Sequence, residues 1–124
     1  MPKTYLLISA ISGFIAVALG AFGAHGLRQK LSADMLAVYQ TGVQYQFYHT
    51  LALLAVALLL MTMPPSSFLK WSGNLFAIGI VIFSGSLYVL AISGVRWLGA
   101  ITPLGGVAFL AGWMCLALAA WNWR

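Results

Sequence analysis

The chain has 124 residues, of which 63% are hydrophobic and 6% charged, whereas soluble domains carry roughly 25% charged residues. A single domain of this size has no core large enough to hide so much apolar surface, so the composition excludes an ordinary soluble domain and indicates a membrane protein. The net charge of +5 comes from six scattered Lys and Arg against the single acid Asp34; without a basic run, we expect no nucleic-acid partner.

The first predicted membrane span covers about residues 5–24, an uncharged run between Lys3 and His25. Spanning a bilayer takes about 20 mostly apolar residues. A cleaved signal peptide is the competing interpretation, but this run exceeds the roughly 7 to 15 residues of a signal core. Small residues recur along it at intervals of three and four, which lets another helix approach closely. They are Ser9, Gly13, Ala16, Gly20 and Gly23.

The second predicted helix starts near residue 33 and ends at 62, with its membrane span at about 47–62. Ser32 suits the N-cap, and Asp34 suits the positive end of the helix. The first third of this helix is amphipathic, and from His49 onward the helix is apolar. Because it would measure about 45 Å, against a hydrocarbon layer of about 30 Å, we expect this N-terminal extension to lie at the membrane interface or to project from it.

The third and fourth spans are predicted at about residues 68–93 and 103–122. Pro64 and Pro65 end the second helix, and Ser66 or Ser67 suits the cap of the third. Gly94 marks the turn between the last two spans, and Thr102 is predicted as the cap before Pro103. The small residues expected to pack helices together are Gly13, Ala16, Gly20, Gly23, Gly79, Ser86, Gly105 and Gly112.

These patterns predict one all-α domain over residues 1–124, an integral membrane four-helix bundle with an amphipathic N-terminal extension of its second helix. Four spans place both termini on one side, and the basic residues divide equally between the two sides. They are Lys3, Lys70 and Arg124 on the terminal side, and Arg28, Lys30 and Arg96 on the other. The amino-terminal charge breaks this tie, and we expect both termini in the cytoplasm.

Polar side chains are predicted to gather toward the membrane face opposite the termini. Ionisable groups at membrane depth are the default hypothesis for a functional site. The candidate ligand site or polar network comprises His25, Tyr45, Gln46, His49, Tyr88 and Thr102. For the two histidines we consider hydrogen bonds between helices, a quinone head-group site, and a ligand pair for haem or a metal. We predict no metal site, because the sequence has no second acid and no local two-histidine spacing.

No catalytic residues are predicted, so we expect no enzyme. Ser84 and Ser86 lie deep within a predicted helix and have no acid partner. Apart from Lys70 at the entry of the third span, no charged residue lies inside any predicted span, and the chain shows no inverted repeat, which argues against a transporter or channel. The tyrosines Tyr39, Tyr45 and Tyr48 are interpreted with the tryptophans as aromatic belts at the two membrane surfaces.

Several motifs, in a fixed order, resemble one family. They are Ala18-Leu-Gly-Ala-Phe-Gly-Ala-His25, Gln40-Thr-Gly42, Tyr45-Gln46 with His49-Thr50, Phe83-Ser-Gly-Ser-Leu-Tyr88, and Thr102-Pro-Leu-Gly-Gly106 leading to Leu110-Ala-Gly-Trp113. Over residues 5–113 the chain resembles the YgdD-like small inner-membrane proteins, a domain-of-unknown-function family with small eukaryotic transmembrane relatives. The resemblance implies a bacterial multi-pass membrane protein and brings no activity with it. The family's motif residues are His25, Gln40, Tyr45, Gln46, His49, Ser84, Ser86, Tyr88, Thr102 and Pro103 here.

We therefore expect a non-enzymatic, multi-pass inner-membrane protein without a resident cofactor. Its expected partners are membrane lipids, further copies of itself in a homo-oligomer, or a larger membrane complex. The alternative is a quinone- or haem-binding accessory subunit in electron transfer, built on the cluster around His25 and His49.

Overall fold

A computed structural model describes residues 2–123; Arg124, which entered the charge count above, lies outside them. Four helices of 26 to 30 residues are long and apolar enough to cross a membrane. They are Pro2–Leu27, Ala33–Thr62, Ser67–Ser93 and Arg96–Trp121. Residues 2–123 contain no strand. The predicted all-α membrane bundle is confirmed.

Three of the four spans contain a turn that departs from regular α-helix. Helix α1, Pro2–Phe22, continues through the π-helical turn Gly23–Leu27, whereas α2, Ala33–Thr62, is regular throughout. The third span consists of α3, Ser67–Gly79, the π-helical turn Ile80–Ser84, and α4, Gly85–Ser93. The fourth begins with a 3₁₀ turn, Arg96–Ala100, and continues as α5, Thr102–Trp121. Single π-helical turns within α-helices occur frequently at functional sites.

Residue chemistry accounts for the start of α2, the start of α3 and the end of α4. The hydroxyl oxygen of Ser32 accepts a hydrogen bond from the backbone N–H of Met35 at 3.2 Å, which confirms the predicted N-cap of α2. The hydroxyl of Ser66 caps α3 in the same way. Gly94 ends α4 in the left-handed conformation, with φ of 73°, where a residue without a Cβ fits best.

Helix α2 occupies the centre of the bundle. It packs against α1 on one side and against the third span on the other, and α5 packs mainly against the third span. Two apolar clusters lie at the two ends of the bundle. One includes Leu53, Val56, Phe76 and Phe109, and the other contains Leu27, Tyr39 and Ala91. A layer of polar side chains crosses the bundle between them, as described below.

The N-terminal third of α2 is helical as predicted, but it is not a separate arm. Tyr39 is only 1% exposed, and its hydroxyl donates to the backbone oxygen of Leu19 at 2.6 Å. Asp34, Gln40 and Gln44 lie on the opposite, exposed side. The first span extends to Leu27 and so provides a packing partner for this part of α2.

Candidate functional site

A hydrogen-bonded layer joins three helices near the middle of the bundle. The side-chain amide nitrogen of Gln46 donates to the backbone oxygen of Ser12 at 2.9 Å and also reaches the hydroxyl of Ser12 at 3.2 Å. The amide oxygen of Gln46 accepts from the hydroxyl of Tyr88 at 2.5 Å. Ser12 in turn shares a hydrogen bond of 2.6 Å with Thr50. We call Ser12, Gln46, Thr50 and Tyr88 the central polar layer.

Other hydroxyl groups join helices at further levels. Ser84 donates to the backbone oxygen of Gly42 at 2.7 Å, and Ser72 donates to that of Gly112 at 2.8 Å. Within residues 2–123, every buried side-chain nitrogen or oxygen atom has a hydrogen-bond partner. In a bundle surrounded by lipid, such bonds between helices contribute about 0.6 kcal/mol each on average. The buried polar groups thus act together as interhelical contacts.

His49 is buried and uses both ring nitrogens within the protein. Its Nδ1 lies 2.8 Å from the backbone oxygen of Tyr45, and its Nε2 accepts from the indole N–H of Trp113 at 3.0 Å. A carbonyl only accepts and an indole N–H only donates, so this geometry selects the neutral tautomer with the proton on Nδ1. The ring of Phe109 stacks on His49 with centroids 3.6 Å apart and planes 8° apart. Neither nitrogen is free to bind a metal ion or haem iron.

His25 lies elsewhere, so the structure does not bring the two histidines of the candidate cluster together. His25 is in the π-helical turn at the end of the first span, and its Nδ1 bonds only to the local backbone oxygen of Ala21, at 2.9 Å. The nearby Gly23 faces Tyr39 of α2. His49 follows Tyr39 by ten residues, about 15 Å along the helix. Depth along α2 separates the two histidines, and the same haem cannot bind both.

The other predicted cluster residues also separate. Gln46 and Tyr88 meet in the central polar layer, whereas Thr102 bonds to the hydroxyl of Ser86 at 2.6 Å. Thr102 was expected to cap the fourth helix, but its hydroxyl points back to Ser86 and to the backbone oxygen of Leu98 instead. The 3₁₀ turn that precedes α5 makes a side-chain cap at this position unnecessary.

The predicted helix-packing residues lie where helices approach each other. A methyl group added to Gly23, Gly79 or Gly112 would overlap an aromatic ring of a facing helix. At Gly105 it would overlap the backbone of Phe83 itself. Of the remaining members, Gly13 faces Thr50 and Gly20 faces Val43. Ala16 is buried, and Ser86 bonds to Thr102.

An open groove with aromatic walls lies beside His49. Its volume is about 470 Å³, and its lining consists of Tyr45, His49, Phe83, Pro103, Gly106, Val107, Phe109, Leu110 and Trp113. None of these residues carries a formal charge when His49 is neutral. We call this the aromatic groove. It lies among α2, the third span and α5.

A second open groove, of about 400 Å³, lies among α1, α2 and the third span. It is lined by Ile8, Ile11, Ser12, Ile15, Gln46, Ala77, Ile80 and Val81, and we call it the isoleucine groove. The π-helical turn Ile80–Ser84 contributes to both grooves, since Phe83 lines the first, and Ile80 and Val81 line the second.

Sequence reasoning missed Ser12, Thr50, Phe109 and Trp113 as partners of the predicted cluster. Two signals were available. Ser12 and Thr50 are polar residues within apolar spans, where a hydroxyl group needs a partner. Trp113 lies well inside the fourth span, far from the interface at which membrane tryptophans concentrate.

Comparisons with known proteins agree on one family. The model of the family described as "Protein of unknown function (DUF423)" matches residues 19–106. The chain is 50% identical over 121 residues to the UPF0382 inner membrane protein YgdD of Escherichia coli K12, covering 97% of this chain and 92% of that protein. It is 48% identical over 118 residues to the UPF0382 membrane protein YwdK of Bacillus subtilis 168, covering 95% and 96%. No solved structure matches the chain significantly.

Proposed function

This chain belongs to the DUF423 family of membrane proteins, as its motifs predicted, and we propose that it is a non-catalytic, lipid-associating protein of the bacterial inner membrane. In this proposal the four helices form a stable support for two grooves that hold lipid-soluble molecules. The inner-membrane location is inferred from the name of the Escherichia coli relative.

The observation that carries this proposal is the pair of open grooves. Volumes of about 470 and 400 Å³ fall within the range of small-molecule pockets, roughly 300 to 1,000 Å³. Both grooves face outward on a bundle whose surroundings are hydrocarbon, so acyl or isoprenoid chains are the molecules at hand. In the isoleucine groove the polar groups of Ser12 and Gln46 are bonded to protein partners. That groove therefore suits a plain hydrocarbon chain.

Filling both grooves is expected to release bound lipid. The variant combines Gly106→Leu in the aromatic groove with Ala77→Leu in the isoleucine groove. After purification in a mild detergent, native mass spectrometry should show retained lipid on the wild-type protein and at least fivefold less on this variant. Val17→Leu is the matched control, because Val17 is 62% exposed and lines neither groove.

Equal lipid retention by the filled variant and the wild type would contradict the proposal. So would a wild-type protein that carries no lipid and instead co-purifies in fixed proportion with another membrane protein. That second result would indicate a subunit of a larger complex.

We further propose that both termini lie in the cytoplasm. Tyr5 donates to the backbone oxygen of Lys70 at 3.0 Å, so Lys3 and Lys70 share one end of the bundle. The sequence count given above favours this side by one positive charge, and positive residues favour the cytoplasmic side. A fluorescent protein that matures only in the cytoplasm, fused to either terminus, should fluoresce. Fluorescence only when it is inserted after Lys30 would reverse the orientation.

A further inference from the structure

We propose that the aromatic groove binds a quinone-type molecule, with the hydroxyl of Tyr45 donating a hydrogen bond to a ring carbonyl. The ligand class is a planar, uncharged, carbonyl-bearing ring on an isoprenoid tail. The inference concerns binding alone. It rests on the proposed function and specifies the ligand of one of the two grooves.

The hydroxyl of Tyr45 is the first observation that points to such a ligand. The hydroxyl groups of Tyr5, Tyr39 and Tyr88 all donate to partners within the bundle. Within residues 2–123, neither Tyr45 nor Tyr48 has such a partner, but Tyr45 lines the groove and is 38% exposed, whereas Tyr48 is 55% exposed and lines neither groove. A hydroxyl group placed in hydrocarbon without a partner is costly, so an acceptor within the groove is favoured.

The position of Tyr45 along α2 brings its hydroxyl within reach of lipid-soluble molecules. Tyr45 lies about 18 Å from the start of α2 and about 26 Å from its end, as measured by the rise per residue. The hydrocarbon layer is about 30 Å thick. Wherever a layer of this thickness crosses α2, Tyr45 falls inside it. A lipid-soluble molecule in the groove can therefore supply the acceptor for its hydroxyl.

The walls favour a flat ring over a flexible chain. The ring of Tyr45 lies 4.7 Å from that of Phe83, and Phe83 lies 5.3 Å from Phe109, as measured between centroids. Trp113 is fixed by its hydrogen bond to His49. Aromatic rings interact well with other rings in stacked or edge-on arrangements. An acyl chain gains nothing specific from such walls, and the isoleucine groove has none of them.

Charge and hydrogen bonding restrict the ligand further. The groove lining has no charged side chain that would hold a phosphate group. His49 has both nitrogens occupied, so it positions Trp113 and does not bind the ligand directly. The groove thus offers one donor, and the complementary ligand is a neutral acceptor such as a ring carbonyl.

Photolabelling with an azido-ubiquinone tests this inference. The full-length protein is reconstituted in quinone-free vesicles of phosphatidylethanolamine and phosphatidylglycerol, labelled, and mapped by mass spectrometry. We expect the label on residues of the aromatic groove, displaced by excess short-chain ubiquinone. An isoprenoid alcohol with the same tail and no ring should not displace it.

Two variants probe the groove and two serve as controls. A Cβ at Gly106 would meet only the ring of Phe83, at 4.0 Å, so Gly106→Leu fills the groove without a backbone clash. It should lower labelling at least tenfold. Tyr45→Phe keeps the ring and removes one hydrogen bond, and it should weaken competition by ubiquinone about fivefold. Tyr48→Phe and Ala77→Leu lie outside the aromatic groove and should leave labelling unchanged.

Labelling that Gly106→Leu leaves unchanged, or that the ring-free alcohol displaces equally well, would overturn the inference. So would equal competition in Tyr45→Phe and Tyr48→Phe. If quinone labelling fails while Ala77→Leu alone still reduces lipid retention, the quinone site is lost and the proposed lipid association stands.

Discussion

Gly105→Ala is expected to lower the free energy of unfolding by roughly 2 kcal/mol or more, whereas the same change at Gly106 should not. A Cβ on Gly105 would overlap the backbone nitrogen and Cα of Phe83, neither of which can rotate away. The third span and α5 would have to separate. At Gly106 the nearest atom is a ring carbon 4.0 Å away, so the added methyl group meets open space.

The two alanine variants form a matched pair. Both positions lie in α5, and replacing a helical glycine by alanine raises helix propensity by about 1 kcal/mol in each. The difference between them therefore reports packing alone. This difference is measured by unfolding both variants with sodium dodecyl sulfate in mixed micelles and following the loss of helix by circular dichroism. Equal unfolding midpoints would mean that the third span and α5 are not in backbone contact at this point.

The second large effect is expected at Gln46. Gln46→Leu removes the bonds to Ser12 and to Tyr88 and leaves the buried hydroxyl of Tyr88 without a partner, at a cost of roughly 1 to 3 kcal/mol, whereas the hydroxyl of Ser12 keeps its bond to Thr50. Gln44 lies two residues earlier on the exposed side of α2. Gln44→Leu should leave stability unchanged or raise it, because it replaces an exposed amide with an apolar group.

A double-mutant cycle with Tyr88→Phe separates the hydrogen bond from general packing. The same micellar unfolding assay should give a coupling energy of roughly 0.5 to 1.5 kcal/mol between Gln46→Leu and Tyr88→Phe. Strictly additive effects would show that the bond from Tyr88 to Gln46 contributes nothing to stability. Gln44→Leu combined with Tyr88→Phe is the control pair, whose effects on stability should simply add.

The central polar layer also bears on the proposed function. Gln46 lines the isoleucine groove and lies one residue from Tyr45, which lines the aromatic groove. Because its amide is bonded on both sides, Gln46 holds α1, α2 and α4 in register between the two grooves. The grooves therefore depend on a set of buried hydrogen bonds that bind no ligand themselves.

Part of the candidate site could be predicted from sequence. Gln46 and Tyr88 were placed together, and the structure joins them directly. The sequence also groups His25 with His49, because both border apolar runs and hydropathy indicates a similar depth in the membrane. The structure separates them because α1 extends to Leu27 and covers the polar start of α2. Trp113, 64 residues from His49, could not be assigned to it from spacing.

The sequence by itself determined the number of spans, the cap at Ser32, a cap at Ser66 or Ser67, and the family. These follow from properties that act within a turn or within one helix: hydropathy over about 20 residues, a hydroxyl at a helix start, and local motif identity. Only the tertiary structure decided which polar groups meet, where the grooves lie and why Tyr45 lacks a partner. Helix rotation and relative depth set these features, and both depend on packing between segments that are distant in the chain.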